Sequence, residues 1–293
     1  MNINLIKLCS GTMLSAALLC GMPAYANVTD METAYASLPA YNGDDLELKV
    51  DNMGTHFTLW SPQAQATQVL LYDTDRNTPS TQTLDMTKSD NGTWRVTVPS
   101  QLYGKFYTFR IKHNGKWLDE TPGVWAKAVG TNGRRAAIID FATTNPVGWE
   151  NDKGPAINGI NDVIIYEMHH RDFSVHPSSG IVNKGKFLAL TEQGTRSLLG
   201  DKTGIDHLKE LGITHVHILP SYDYNSVDET QLQSNTYNWG YDPYNYNAPE
   251  GSYSTNPANP ATRIMEMKQM IKALHDAGIG VIMDVVQPHC QQR

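Results

Sequence analysis

The part of the chain best equipped to bind a ligand is the segment from Pro220 to Ala261. It holds half of the fourteen tyrosines, many asparagines and few aliphatic residues, and its aromatic residues are Tyr222, Tyr224, Tyr237, Trp239, Tyr241, Tyr244, Tyr246 and Tyr253. Aromatic rings stack on the C–H faces of sugars, and asparagine, tyrosine and aspartate side chains exchange hydrogen bonds with hydroxyl groups. The composition therefore predicts a sugar-binding loop.

The same segment carries carboxylates at Asp223, Asp228, Glu229, Asp242 and Glu250. An opposed pair of carboxyl groups can hydrolyse a glycosidic bond, but a single loop rarely presents such a pair across a sugar. Because acidic side chains are mostly exposed in folded proteins, we expect all of these except Asp242 to be solvated.

Two histidines, His215 and His217, lie in a predicted strand. Strand alternation places both on one side, where they could ligate a metal ion. No third histidine, cysteine or acidic residue stands at ligand spacing, so packing roles are favoured. The sequence also lacks a phosphate-binding loop and a Gly-x-Ser-x-Gly nucleophile elbow.

The elements that must position these residues alternate between strands and helices. Strands are predicted at Val163–Met168, Thr214–Leu219 and Ile279–Val286, the last an apolar run typical of a strand covered on both faces. One helix is predicted to begin near Thr203 and to end at Gly212, with an apolar face formed by Ile205, Leu208 and Leu211. A second helix is predicted to end at Gly278. Its apolar residues at helical spacing are Ile264, Met267, Ile271 and Leu274.

This alternation allows an open doubly wound sheet or a (β/α) barrel. The first strand is not followed by the Gly-x-Gly-x-x-Gly turn of dinucleotide-binding folds, so a barrel is favoured. The aromatic segment leaves the carboxyl end of a strand, and barrel enzymes build their sites on that face.

The first half of the chain, from about Asp44 to Phe141, has a different pattern. Short alternating runs predict strands around residues 57–59, 69–72, 94–98 and 106–111, with turns at Asn91-Gly92 and Asn114-Gly115. This spacing predicts an antiparallel β-sandwich of about 100 residues. Four tryptophans lie within it, and core or edge-covering roles are favoured over a glycan platform; they are Trp60, Trp94, Trp117 and Trp125.

The chain has 293 residues and a formal net charge of −7, and the absence of any basic run argues against nucleic acid. Lys7, the apolar stretch Leu8–Cys20 and Pro23-Ala24-Tyr25-Ala26 predict a cleavable signal peptide over residues 1–26 and an exported protein. The alternative is a buried N-terminal helix. The apolar stretch falls short of the about 20 residues of a membrane span, so none is expected.

One motif resembles a known family. Tyr237-Asn238-Trp239-Gly240-Tyr241-Asp242-Pro243 resembles the signature of the type I pullulanases, the α-1,6-debranching members of the α-amylase superfamily. Residues 166–174 resemble their first barrel strand, residues 284–286 the first region shared by the superfamily, and residues 57–62 the starch-binding-like module that precedes the barrel.

The resemblance runs from about Asp44 to His289 and implies the fold class. A β-sandwich over residues 44–141, a starch-binding-like carbohydrate module, would be followed over residues 150–293 by α/β structure. That second part would hold the first three strands of a (β/α)8 TIM barrel, which is incomplete.

The resemblance also implies roles for single residues. Tyr241 would stack on the sugar next to the scissile bond, Asp242 and Trp239 would shape that subsite, and Asp284 would be the supporting aspartate of the shared region. His289 would donate or accept a hydrogen bond to the same sugar. The alternative is a chance histidine, which is supported by Gln287 and Pro288, since both depart from the family pattern. No cofactor is predicted for this chain, although calcium is possible in complete relatives.

No catalytic residue is predicted. In this superfamily the nucleophilic Asp, the acid Glu and a further Asp follow the fourth, fifth and seventh strands, for which this sequence has no counterparts. The resemblance implies that the chain is the N-terminal portion of an exported pullulanase. Complete pullulanases hydrolyse α-1,6 branches in pullulan, starch and glycogen. We expect this portion to be inactive by itself. A non-catalytic α-glucan-binding protein is the alternative, and a half-barrel completed by self-association is a third possibility.

Overall fold

The computed structural model of the chain describes residues 36–232 and 236–286. The chain divides into two units, Met1–Ala40 and Tyr41–Arg293. The described residues of the first unit, 36–40, are mostly exposed. The predicted signal peptide and His289 lie outside the described residues. Within the described ranges, no helix is long and apolar enough to cross a membrane.

The second unit begins with an antiparallel sandwich, as the short alternating strands predict. In chain order its strands are β1 (Glu47–Asp51), β2 (Gly54–Trp60), β3 (Ala66–Tyr72), β4 (Gln82–Asp85), β5 (Thr87–Lys88), β6 (Thr93–Val98), β7 (Phe106–His113), β8 (Lys116–Trp117) and β9 (Ala136–Ala137). One sheet has the order β1-β2-β6-β5, and the other has the order β4-β3-β7-β8 with β9 paired to β7. The predicted turn at Asn114-Gly115 is confirmed, because both residues have positive φ, 47° and 75°, between the paired ends of β7 and β8.

Aromatic side chains form the core of the sandwich. Phe57, Tyr107 and Phe109 are buried and meet edge to face, with ring centroids 5.2, 6.3 and 5.5 Å apart. Trp94 is buried beside them, which confirms its core role, whereas Trp125 is 52% exposed and does not belong to the core.

The rest of the unit contains three parallel strands and the two predicted helices. The strands β10 (Ile165–Met168), β11 (His215–Ile218) and β14 (Gly280–Met283) pair in the order β10-β11-β14. The helices are α1 (Gly204–Leu211) and α2 (Pro260–Asp276). The side chain of Asn259 accepts a hydrogen bond from the Ala261 amide and caps the start of α2.

The segment from residue 220 to residue 261, predicted as a loop, contains an antiparallel hairpin. Its strands are β12 (Tyr222–Tyr224) and β13 (Pro243–Pro249), and the pairing shifts register on both sides of Asp223. Ala248 of β13 packs into the sandwich core. The hairpin therefore rests on the sandwich and extends from the carboxyl end of β11.

Two packing predictions are wrong. Leu211 in α1 is 49% exposed, although Ile205 and Leu208 on the same helix are buried as expected. The run from Ile279 was predicted to be covered on both faces, but Met283 is 45% and Val285 is 60% exposed. In the described sheet β14 is an edge strand paired only with β11, so its apolar residues are less enclosed than those of a central strand.

Candidate functional site

The candidate site lies where the parallel strands end. Glu167 of β10 and His217 of β11 are register partners, and Asp284 follows β14 directly. The His217 imidazole lies between the two acids, with Nδ1 3.8 Å from Glu167 Oε2 and Nε2 3.8 Å from Asp284 Oδ2. His217 therefore lines the site, a position that the spacing in the sequence did not reveal.

Tyr241 is hydrogen-bonded to Asp284, which lies 43 residues later in the sequence. Its hydroxyl donates a hydrogen bond to Asp284 Oδ2. This bond, with burial adding to it, raises the pKa of Tyr241 to about 12. Because the hydroxyl is fixed while 42% of the side chain stays exposed, the ring presents an oriented surface for stacking.

Asp242 is held inside its own loop. Its Oδ1 accepts from Asn238 Nδ2 at 2.7 Å, and its Oδ2 accepts from the Ser226 hydroxyl. The Asn225 amide donates to the Asp242 carbonyl at 3.1 Å. These bonds fasten the motif to the end of β12 and so position the adjacent Tyr241.

A glycine makes the turn between Trp239 and Tyr241 possible. Gly240 has a φ of +89°, and a Cβ at this position would lie 2.9 Å from the Pro220 carbonyl oxygen. The Gly240 amide donates to Asn238 Oδ1 at 2.7 Å, which closes the turn. Trp239, placed just before it, is 59% exposed and free of the core.

His169 supports the motif from behind and was not predicted as a site residue. Its Nε2 donates to the Asn238 carbonyl oxygen at 2.8 Å, and its Nδ1 accepts from the Asp172 amide at 3.3 Å. Burial lowers the pKa of His169, which agrees with this neutral tautomer. The Tyr237 ring packs against the imidazole at a centroid distance of 4.8 Å.

Beneath the hairpin lies a buried cluster of charges, hereafter the acidic cluster, formed by Asp223, Glu229, Glu250 and Arg263. Arg263 Nη1 lies 3.2 Å from Asp223 Oδ1, and Nη2 lies 2.9 Å from Glu229 Oε2. Both oxygens of Glu250 accept backbone amides, from Tyr224 at 3.0 Å and Ser252 at 2.8 Å. All four side chains are at most 5% exposed.

The prediction that the loop carboxylates are solvated is therefore wrong for Asp223, Glu229 and Glu250. It holds for Asp228, which is exposed. The physical reason is the guanidinium of Arg263, which offers the buried carboxylates of Asp223 and Glu229 a partner and offsets part of their desolvation cost.

One cation cannot balance three buried carboxylates. Burial raises the pKa of Asp223 to about 7; Arg263 opposes that rise, and the neighbouring Glu229 adds to it. Burial, reinforced by Glu229 and Asp223, raises the pKa of Glu250 well above its usual range. Full ionisation of the three carboxyl groups is therefore opposed by burial and by their mutual repulsion.

The three carboxylates also form a group whose oxygens lie within 4.8 Å of one another, close enough to surround a cation. Arg263 already donates to two of them. Because a guanidinium occupies the cation's position, the donor set suits an internal ion pair better than a Ca²⁺ ion, which takes 6–8 oxygen ligands.

Residues 129–140, hereafter the connecting segment, link the sandwich to this cluster. The Asn132 amide donates to Glu229 Oε2 at 2.8 Å, and the Glu229 amide donates to Asn132 Oδ1 at 2.7 Å. Asn245 Nδ2 donates to the Gly133 carbonyl at 3.0 Å. The connecting segment thus fixes the hairpin that leads to the candidate site.

The structure brings Tyr241 and Asp284 into contact and places Asp242 and Trp239 in the same loop. His289 lies outside the described residues, so its role stays a prediction. Sequence reasoning did not identify His169 or the acidic cluster, and it favoured a packing role for His217. The pairing of β10 with β11 would have pointed to His217, since it shares a register position with Glu167.

Comparison with known families assigns the class of protein. Carbohydrate-binding module 48, the isoamylase N-terminal domain, matches residues 45–128, and the alpha amylase catalytic domain matches residues 141–293. The chain therefore belongs to the α-amylase family. This confirms the predicted fold class, a β-sandwich followed by part of a (β/α)8 barrel.

Pullulanases are among the relatives of the chain, which confirms the resemblance of the signature. The chain is 42% identical over 239 residues to pullulanase of Bacillus subtilis (strain 168), covering 82% of this chain and 32% of that protein. It is 30% identical over 285 residues to pullulanase 1, chloroplastic, of Arabidopsis thaliana, covering 81% of this chain and 29% of that protein.

Solved structures give the same result. The pullulanase of Paenibacillus barengoltzii in complex with maltohexaose and α-cyclodextrin is 49% identical, with a TM-score of 0.85, over 90% of this chain and 42% of that chain. The chain spans about a third of the length of the curated relatives described above.

Proposed function

We propose that the chain carries the glucan-binding side of an α-1,6-debranching glycoside hydrolase of the pullulanase type. The observation that carries this proposal is the bond between Tyr241 and Asp284 at the ends of the parallel strands, within the pullulanase-like signature. The substrate class is the branched α-glucans, including pullulan, amylopectin and glycogen. The maltohexaose bound to the Paenibacillus barengoltzii relative supports this class.

The geometry suits binding more than bond cleavage. A retaining glycosidase needs a nucleophile and an acid whose carboxyl groups lie about 5–5.5 Å apart. Asp242 is engaged by Asn238 and Ser226, and Asp284 is engaged by Tyr241. Both acids therefore act as supports, and the 293-residue polypeptide by itself binds α-glucan without hydrolysing it.

Electrophoresis in native gels that contain pullulan tests this function, with release of reducing ends measured in parallel. The chain should be retarded by pullulan, and Tyr241→Ala should abolish most of the retardation. Tyr103→Ala is the matched control, because Tyr103 is a similarly exposed tyrosine of the sandwich, 43% against 42%. Release of maltotriose by the chain, or equal retardation of the Tyr241→Ala variant, would overturn the proposal.

A non-catalytic α-glucan-binding protein is the second candidate function. It is favoured by the exposure of Trp117 (38%) and Trp125 (52%) in the region that matches carbohydrate-binding module 48. This candidate binds glucan through the sandwich as well as the aromatic loop, without chemistry. Loss of retardation in Trp125→Ala would favour it over the first, which places binding on the signature loop alone.

Export is part of the proposal. Lys7, the apolar stretch Leu8–Cys20 and the Pro23-Ala24-Tyr25-Ala26 sequence support a signal peptide cleaved after Ala26. N-terminal sequencing of the protein expressed in a secreting bacterium should therefore begin at Asn27. An uncleaved chain retained inside the cell would contradict export.

A further inference from the structure

The connecting segment brings a cationic side chain to the rim of the candidate site. Gly133 has a φ of +64°, and a Cβ there would lie 2.2 Å from Asp223 Oδ2 and 2.9 Å from Tyr244 Cδ1. This close approach lets the segment lie directly on the hairpin. The next residue, Arg134, is consequently placed beside Tyr244.

Arg134 and Tyr244 form a defined pair on the surface. Arg134 Nη1 donates to the Tyr244 hydroxyl at 2.7 Å, and Nη2 donates to Asn225 Oδ1 at 3.2 Å. The guanidinium carbon lies 4.7 Å from the centre of the Tyr244 ring, a cation–π distance. Contacts with two residues, Tyr244 and Asn225, thus fix the guanidinium, although Arg134 is exposed to solvent.

This group borders the loop that carries Tyr241. Tyr244 stands two residues after Asp242, and the Asn225 amide donates to the Asp242 carbonyl at 3.1 Å. Further along β13, Tyr246 is 41% exposed and packs against Tyr222, with ring centroids 5.4 Å apart. The surface is therefore continuous with the candidate site.

The pair retains hydrogen-bonding capacity that faces solvent. A guanidinium has five N–H donors, and the described contacts of Arg134 use two of its nitrogens. The Tyr244 hydroxyl accepts from Arg134, so its own proton is available to another acceptor. The guanidinium lies over one face of the Tyr244 ring, and the residue is still 37% exposed. This arrangement suits a sugar, which can contact the ring while its hydroxyls accept from the fixed donors.

The charges nearby select against an anion. Asn132 Nδ2, two residues before Arg134, donates to Asp228 Oδ1 at 3.0 Å, and Asp242 Oδ2 accepts from Ser226, the neighbour of Asn225. A phosphate would approach these two carboxylates as well as the single arginine. A neutral ligand meets no such repulsion.

We propose that Arg134, Tyr244 and Asn225 form a second sugar subsite, which binds a glucose unit of an α-glucan further along the glucan than the unit at Tyr241. This subsite rests on the proposed function, because it needs a glucan already held by the signature loop. Arg134 belongs to the connecting segment, which lies between the two regions that match family models. With this subsite, the connecting segment makes the chain bind longer glucans more tightly than shorter ones.

Calorimetric titration of the full chain with maltotriose and maltohexaose tests the subsite. The variants are Arg134→Gln and Tyr244→Ala, with Tyr103→Ala as the control for loss of an exposed tyrosine. We expect each test variant to weaken maltohexaose binding about tenfold, the effect of losing one charge-assisted hydrogen bond or one ring contact. Because the proposed subsite lies beyond the glucose units that the signature loop binds, maltotriose should bind all variants as it binds the wild type.

The outcomes separate this inference from the proposed function. Unchanged maltohexaose affinity in both variants overturns the subsite, and so does an equal loss for both sugars, which would reflect a disturbed signature loop. A wild-type chain that binds neither sugar overturns the proposed function and the subsite with it. The unfolding midpoint of each variant, expected to match the wild type, shows that the fold is retained.

Discussion

The hydroxyl of Tyr241 and the carboxylate of Asp284 depend on each other at the candidate site. Asp284 is oriented by the Tyr241 hydroxyl and by the nearby His217, and Tyr241 is held with its ring exposed. A ring that is already oriented loses little conformational entropy when a sugar stacks on it. In the proposed function, the pair therefore orients the binding surface before the ligand arrives.

Replacing Asp284 by asparagine should lower the pKa of Tyr241 from about 12 toward 10. The neutral amide is a weaker acceptor and removes the negative charge that opposes ionisation of the phenol. Titration of the ¹³C ring signals of labelled tyrosine measures the shift, and Tyr241→Phe identifies the signal. A Tyr241 pKa that stays near 12 in Asp284→Asn would contradict the bond.

Arg263 is the residue on which the acidic cluster depends. Arg263→Met leaves three buried carboxylates without their cation, and we expect the free energy of unfolding to fall by about 3–5 kcal/mol. Arg196→Met, at an exposed arginine, should change it by less than about 0.5 kcal/mol. Urea titration measures both values, and equal effects of the two substitutions would show that the cluster is not an internal ion pair.

At the scale of elements, the hairpin and the connecting segment form one support for the signature loop. Asn132 and Glu229 exchange two hydrogen bonds, and Ala248 packs into the sandwich core. Movement of the connecting segment would therefore displace the hairpin and the tyrosines that follow Pro243.

Gly133→Ala tests this coupling. The substitution places a Cβ 2.2 Å from Asp223 Oδ2 and imposes a φ of +64° on alanine. Gly115→Ala is the matched control, because Gly115 has a φ of +75° with nothing within 4 Å of a Cβ. The control should lose about 1 kcal/mol of unfolding free energy from backbone strain alone. Gly133→Ala should lose more, because its Cβ also collides with Asp223. Only Gly133→Ala should also weaken the retardation of the chain by pullulan. Identical behaviour of the two variants would show that the hairpin does not depend on the close approach at Gly133.

The elements themselves were largely predictable from sequence. Alternation and turn residues located the sandwich strands, and Thr203 and Gly212 marked the ends of α1. The hairpin within residues 220–261 was missed because its strands contain tyrosine, asparagine and proline in place of alternating aliphatic residues.

The acidic cluster could not be predicted from local sequence. Arg263 lies 40 residues from Asp223 and 34 from Glu229, so only the tertiary fold brings them together. The apolar residues of α2 predict its buried face, yet Arg263 and Glu266 of the same helix are also buried. The signature loop was found because its residues are adjacent in sequence, whereas its supports come from other elements.

At the scale of the whole molecule, buried carboxyl groups make stability depend on pH. Burial raises the pKa of Glu47 from 4.5 to about 7, and burial also raises that of Asp223 to about 7. In the unfolded chain such groups lose their protons near pH 4. Between about pH 4 and about pH 7 these two carboxyl groups bind more protons in the folded state than in the unfolded state. Their contribution to the free energy of unfolding therefore falls as the pH rises.

We therefore expect the contribution of Glu47 to the free energy of unfolding to fall by about 2 kcal/mol as the pH rises from about 5 to about 7. Glu47→Gln should reduce that slope, because the amide carries no proton to lose. Glu210→Gln is the control, since the Glu210 side chain is 54% exposed. Urea titrations across this pH range measure the slope, and a slope unchanged in Glu47→Gln would contradict the assignment.

The proposed function places the α-glucan-binding surface around Tyr241, at the ends of the parallel strands. The most direct test is the dissociation constant of maltohexaose for the 293-residue chain and its Tyr241→Ala variant, measured by calorimetry. The account predicts saturable binding to the wild type and a dissociation constant raised about tenfold or more in the variant, equivalent to at least about 1.4 kcal/mol. Equal dissociation constants for the two proteins, or no binding to the wild type, would contradict it.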